Sequence, residues 1–196
     1  EYASCSKIKH QPYPNNNIQC ISDMLSGKLH CGTWNKLVRR EIYFQNNISF
    51  PNGVNMWEDV ATMIPICYYA KKIVYLPKAY YHYVQTNSNS YTKKVSEKSL
   101  QDMMEVIKRL GIFLQLNHWD LLDKLNYMKL SVKLNALISA KGQQQQLYAG
   151  MYPEATSHIL SYTQMSYYWR IALKFVSMNM LFVFNGMRNV ATKCKK

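Results

Sequence analysis

Residues 56–64 read MWEDVATMI, and the fold hinges on how this stretch is read. Glu58 and Asp59 are the only adjacent pair of acids in a strongly basic chain. From Trp57 onward, Val60, Met63, Ile64 and Cys67 fall at i, i+3, i+4 and i+7, which is one face of a helix. The acid pair then occupies the first turn, where the helix dipole stabilises a carboxylate by roughly 0.3–1 kcal/mol. A helix start that simply favours acids is one reading of the pair, and a chemical use is the other. Pro65 lacks the amide that would bond the Ala61 carbonyl, so a kink is expected near residues 61–65.

Working upstream, ISFPNGVN (48–55) is a Pro/Gly/Asn loop. Before it, LHCGTWNKLVRREIYFQNN (29–47) turns at Gly32 and predicts a helix through Lys36–Phe44. In NNNIQCISDMLSGK (15–28), Ile18, Ile21, Met24 and Leu25 repeat at helical spacing, with Asn17 placed to cap the start and Gly27 to end it. Downstream, KKIVYLP (71–77) and AYYHYVQ (79–85) are β-branched or aromatic and read as two short strands, followed by the polar loop QTNSNSYTKK (85–94).

Beyond residue 95 the pattern is helical again. Leu100, Met103, Met104 and Ile107 share one face, and Leu121, Leu125, Met128 and Val132 share another. AKGQQQQ (140–146) reads as a solvated break. The closing stretch YYWRIALKFVSMNMLFVFNGMRNVATKCKK carries no charge over residues 175–187. Thirteen residues fall short of the ~20 needed to cross a hydrocarbon core. With Tyr167, Tyr168 and Trp169 at one end and lysines at the other, the pattern suits a helix lying in a membrane interface, or else a core or oligomer helix.

The formal net charge is +13. Residues 124–196 hold ten basic side chains against Glu154 alone, which points to an acidic partner such as lipid headgroups, nucleic acid or a phosphorylated ligand. Cys5, Cys20, Cys31, Cys67 and Cys194 form no C-x-x-C pattern and read as reduced thiols of a cytoplasmic protein. A zinc site at His30 and Cys31 lacks a second ligand pair. The chain opens without a methionine or a signal peptide, as a piece of a longer protein would.

Taken in order, TWNKL (33–37), FPNG (50–53), the Glu58–Asp59 pair, YYAKKIVYLP (68–77), YYHY (80–83) and the polar NSYT end (89–92) resemble the C-terminal half of the family 2 inverting glycosyltransferases of bacterial capsule and surface-polysaccharide clusters. The likeness covers residues 33–92. It implies an α/β parent fold of the GT-A type, of which this chain would be a mainly α-helical piece with a few short strands. The nucleotide-binding half and its D-x-D metal motif would be missing. Residues 1–92 are then expected to be the acceptor-side part of the catalytic domain. Residues 93–196 would be a helical C-terminal region with a basic, aromatic tail.

In such an enzyme a base takes the proton of the acceptor hydroxyl as its oxygen attacks the anomeric carbon. The resemblance assigns that role to Asp59, with Glu58 in support. Trp57 would offer a face to a sugar ring or anchor the helix as a buried indole. Trp34 and Lys36 would lie beside the cleft, Lys36 pairing with a diphosphate or acceptor anion or else solvated. His82 and Gln85 would sit near the donor diphosphate, although His82 on a tyrosine-rich strand also suits a structural hydrogen bond. Val84 replaces an arginine common in relatives, which removes an expected phosphate contact.

The implied partners are a nucleotide-sugar, a glycan or lipid-linked acceptor and an anionic membrane surface. A divalent Mg or Mn is expected, with its ligands mostly in the missing half. The location would be cytoplasmic, peripheral on the inner membrane face. No helix-turn-helix, RNA-recognition or zinc-finger pattern supports nucleic acid as a partner. The alternatives are a non-catalytic binding or scaffolding module, or a basic nucleic-acid-binding protein.

Overall fold

The computed structural model describes residues 13–78, 80–81 and 95–193, and over these the chain is mainly α-helical. Eight helices follow in order: α1 (Asn17–Leu25), α2 (Arg40–Gln45), α3 (Glu58–Tyr69), α4 (Glu97–Asn117), α5 (Leu125–Ser139), α6 (Gly142–Ala149), α7 (Tyr167–Ser177) and α8 (Leu181–Lys193). Short 3-10 segments cover Thr33–Asn35, Trp119–Lys124 and Pro153–His158.

Helix α5 is the spine. One side of it, with Leu125, Met128, Val132 and Ala136, closes a core built from α1, α3 and α4. Ile21, Ile64, Val106 and Leu114 in that core are fully buried. The core takes side chains from both sides of residue 92. The other side of α5, with Leu130 and Leu137, meets a second cluster from the Pro153–His158 turn, α7 and α8, centred on the fully buried Phe184.

The observed ends and connections depart from the sequence pattern at five places. Asn16, not Asn17, caps α1, its Oδ1 accepting from the Gln19 amide at 2.8 Å. Asn17 instead donates to the Tyr68 carbonyl and ties α1 to the end of α3. The helix expected through Lys36–Phe44 starts only at Arg40, because Lys36 is extended and its side chain is bonded backwards into the preceding turn.

Residues 71–78 and 80–81 form no strand. A β-branched run gives a strand only when it finds a ladder partner, and none exists among the described residues; the rest of the second expected strand lies outside them. The Gln tract is helical rather than a solvated break. Gln145 is buried, donates to the Leu137 carbonyl, and exchanges two amide hydrogen bonds with Asn185 at 2.9 and 3.1 Å. Finally, the tail is two helices in a hairpin, divided at Met178–Met180, instead of one. No described helix is long and apolar enough to cross a membrane.

Helix α3 runs through Pro65 as one element from Glu58 to Tyr69. Met63, Ile64, Ile66 and Cys67 are buried around the proline, and this packing holds the helix together across the lost hydrogen bond. Cys20 on α1 and Cys67 on α3 meet at 3.6 Å between sulfurs, and Cys20, Cys31 and Cys67 are all free thiols.

Candidate active site at the start of helix α3

The loop leading into α3 is held from α4. Asp102 lies on the apolar stripe of α4 with its side chain almost wholly buried. Its Oδ2 accepts from the Asn55 amide at 2.9 Å, and Oδ1 pairs with the Lys98 ammonium. Lys98 donates in turn to the Gly53 carbonyl at 2.7 Å. Burial pushes the Asp102 carboxyl up, but Lys98 and the amides of Asn55 and Met56 outweigh it and hold it below the usual carboxylate range. Three successive points of the Gly53–Met56 loop are thereby fixed immediately before Trp57.

Trp57 is the N-cap residue of α3, in left-handed backbone conformation with φ 68°. A bulky residue there is strained, at a cost of order 1–3 kcal/mol, and persists only where its surroundings dictate it. The indole packs half-buried against the first core, the anchoring role of the two the sequence allowed. It offers no side-chain cap, so the first amides of α3 depend on the residues that follow.

Asp59 supplies one such bond, its Oδ1 accepting from the Val60 amide at 2.8 Å. Among the described residues no donor reaches its other oxygen, and neither Asp59 nor Glu58 forms an ion pair. Both carboxylates are half-buried. They serve different surroundings: Glu58 feels Asp102, while Asp59 is coupled electrostatically to Lys36 and Cys31. Burial pushes the Glu58 carboxyl above its ordinary range, and the like charges of Asp59 and Asp102 push the same way, against its own backbone amide.

A carboxyl raised by folding binds its proton more tightly in the folded state, so ionisation costs stability once pH exceeds the unfolded value. Glu58→Gln is therefore expected to raise the melting temperature at pH 7 and leave it unchanged at pH 4. Thermal melts at the two pH values check this.

The Thr33–Asn35 turn stands beside Asp59. Lys36 Nζ donates to the His30 carbonyl, the Gly32 carbonyl and Asn35 Oδ1, each at 2.7 Å. An ammonium has three donors, so all are taken and none remains for the diphosphate or acceptor anion that the sequence reading assigned to it. Lys36 builds the turn. Burial draws its pKa down, opposed by the thiols of Cys31, Cys67 and Cys20 and by Asp59. Burial pushes the Cys31 thiol up to about 12, helped by Asp59 and opposed by Lys36, so it stays protonated at neutral pH.

Trp34 projects from the turn, 38% exposed, with its ring tilted 31° against Tyr81 at 4.9 Å and the His30 ring at 5.4 Å. Gly32 makes this possible: a Cβ there would sit 2.5 Å from Trp34 Nε1 and 2.6 Å from His30 Cε1. Gly32→Ala is expected to force both rings aside at a cost of about 1–3 kcal/mol, read by denaturant unfolding.

Of the residues singled out in the sequence, Asp59 and Lys36 interact electrostatically, Trp34 lies on the turn that Lys36 builds, and Glu58 and Trp57 stand with Asp59 at the start of α3. His82 and Gln85 lie outside the described residues. Among the described residues no three His, Cys, Asp or Glu side chains form a metal-ligand group, the His30–Cys31 pair included. Asp102 and Gly32 were missed. An acid on an otherwise apolar helical stripe was the available signal for Asp102. Nothing in the sequence marked Gly32 beyond a turn. A groove of about 290 Å³ between α5 and the Tyr162–Trp169 segment contains none of these residues. The chain matches no family model, no curated protein and no solved structure.

Proposed function

We propose that this chain is the acceptor-side part of an inverting glycosyltransferase with a GT-A-type parent fold. It would transfer a sugar from a nucleotide-sugar to a glycan or lipid-linked acceptor, with Asp59 as the general base. The observation that carries the reading is the state of Asp59. Among the described residues of this strongly basic chain it stays out of every ion pair. It is pinned by one oxygen to the Val60 amide, and no donor among the described residues reaches the other, at a helix start electrostatically coupled to Lys36.

The acceptor hydroxyl hydrogen-bonds to the second oxygen of Asp59. As the acceptor oxygen bonds to the anomeric carbon, its proton passes to Asp59 and the nucleoside diphosphate departs from the opposite face, which inverts the configuration. The exposed part of Trp34 gives the acceptor sugar apolar surface to pack on. Glu58, whose carboxyl is raised by burial, orients the acceptor through a hydrogen bond. Trp57 and the Asp102-held loop keep the helix start in place, and Lys36 keeps Trp34 in place. Among the described residues no metal-ligand group forms, and the Mg or Mn that the resemblance implies would take its ligands from the nucleotide-binding half.

The test is nucleotide release from a panel of nucleotide-sugars by the full-length protein, with a membrane extract as acceptor source. Release by wild type and not by folded Asp59→Asn supports the reading. Equal release by both reduces the pair to a helix start.

A further inference from the structure

The tail hairpin has a surface that the catalytic reading does not use. Met178 and Phe182 flank its tip, 59% and 73% exposed, within the uncharged run 175–187. The turn is closed on itself. Asn179 is left-handed with φ 60°, its amide bonds to the Val176 carbonyl at 3.0 Å, and the Met180 amide bonds to the Phe175 carbonyl at 2.9 Å. This is the Schellman arrangement, which satisfies carbonyls that a helix end otherwise leaves to water. The Met180 carbonyl is taken in turn by the Val183 amide at 3.1 Å.

A protein tip can enter an apolar phase only if its backbone polar groups are bonded internally, and this one meets that condition at these positions. Behind the tip the hairpin is rigid, with Phe184 fully buried, Trp169 against it at 6.0 Å, and the Tyr168 hydroxyl donating to the Met187 carbonyl.

Charge follows in the right order. Lys174 is exposed and one helical turn behind Met178, or about 6 Å along the axis, where a lysine stem can lie along the apolar zone and place its ammonium among headgroups. After Glu154 the sequence holds Arg170, Lys174, Arg188, Lys193, Lys195 and Lys196 and no acid at all. Arg188 is bonded to the carbonyls that end α5, and Arg170 to that of Leu160, which fixes both while leaving their positive charge in place. An apolar face that had to meet another protein would need no such one-sided charge, whereas a negatively charged lipid surface matches it.

We propose that the α7–α8 hairpin docks the protein on an anionic membrane by inserting its tip, Met178 and Phe182, to headgroup depth. This changes the picture drawn from the sequence, a single helix lying flat, to a wedge entering end-on. It stands independently of the transferase reading.

The test is co-sedimentation of the full chain with phosphatidylcholine vesicles, with and without phosphatidylglycerol. Met178→Ser/Phe182→Ser is run alongside, with Leu147→Ser as a control at an exposed apolar site on α6 (76% exposed). All three sites are solvent-facing, so folding is expected to survive, and circular dichroism verifies it. Binding should require phosphatidylglycerol, fall about tenfold or more in the tip variant, as loss of a phenyl group from an apolar phase implies, and be unchanged in Leu147→Ser.

Three results would overturn the proposal. Wild type could remain in solution with anionic vesicles. The tip variant could bind as well as wild type. Size-exclusion chromatography could show a dimer that the tip variant dissolves, making the patch a contact between copies.

Discussion

Asp59→Asn is expected to lower turnover about 10³-fold while the protein stays folded, within the 10²–10⁴ that a positioned general base contributes. Asparagine keeps the shape of the side chain and can still accept the Val60 amide through its carbonyl oxygen, so α3 loses nothing structural. What it cannot do is take a proton. The same reasoning separates the two acids. Glu58→Gln keeps a hydrogen-bonding group where an orienting group stood, so its effect should be confined to acceptor affinity, with KM rising and kcat largely retained. Steady-state kinetics of both variants against one acceptor decide the assignment. If the asparagine and glutamine variants lost kcat alike, the base would not be Asp59 alone.

Periodicity made the core legible. The stripes on α3, α4 and α5 are long, apolar and in phase, and the residues they named are buried, Val60, Met63, Ile64 and Cys67, then Leu100, Met103 and Ile107, then Leu121, Leu125, Met128 and Val132, with Met104 alone only partly so. What was not legible depended on partners distant in sequence. Gln145 looks solvated because its reason to be buried is Asn185, forty residues on. IVYL looks like a strand because its composition suits one, but a ladder needs a neighbour that composition cannot supply.

The tail reads as one helix because its apolar residues keep helical spacing on both sides of Asn179, and only the left-handed turn there breaks it. Within the candidate site, the positions of Asp59 and Trp34 followed from a helix start and a turn. The role of Lys36 did not, since a lysine's bonds to the His30 and Gly32 carbonyls leave no pattern in the chain.

The second large effect falls on stability. Asp102→Ala is expected to cost about 1–3 kcal/mol, since it leaves the amides of Asn55 and the buried Met56 without their acceptor and strips Lys98 of its partner. Asp102→Asn should cost less, because it preserves volume and one acceptor. The pH dependence gives the stronger check. The folded carboxyl is held below its unfolded value, so its contribution is fully present above about pH 4, the ordinary aspartate range, and is lost as pH falls through the lower folded value. Denaturant unfolding should therefore show wild type well above Asp102→Ala at pH 7, with the gap narrowing below pH 4.

Because Asp102 and Lys98 grip Gly53, Asn55 and Met56, the variant should also loosen the strained Trp57 and the acid pair that follows it. Activity at a temperature where the variant is still folded should then fall with acceptor KM raised, and lowering the temperature should recover part of it. An Asp102→Ala protein as stable as wild type at pH 7 would show that the loop is held by its own turn, and that α4 has no part in presenting Glu58 and Asp59.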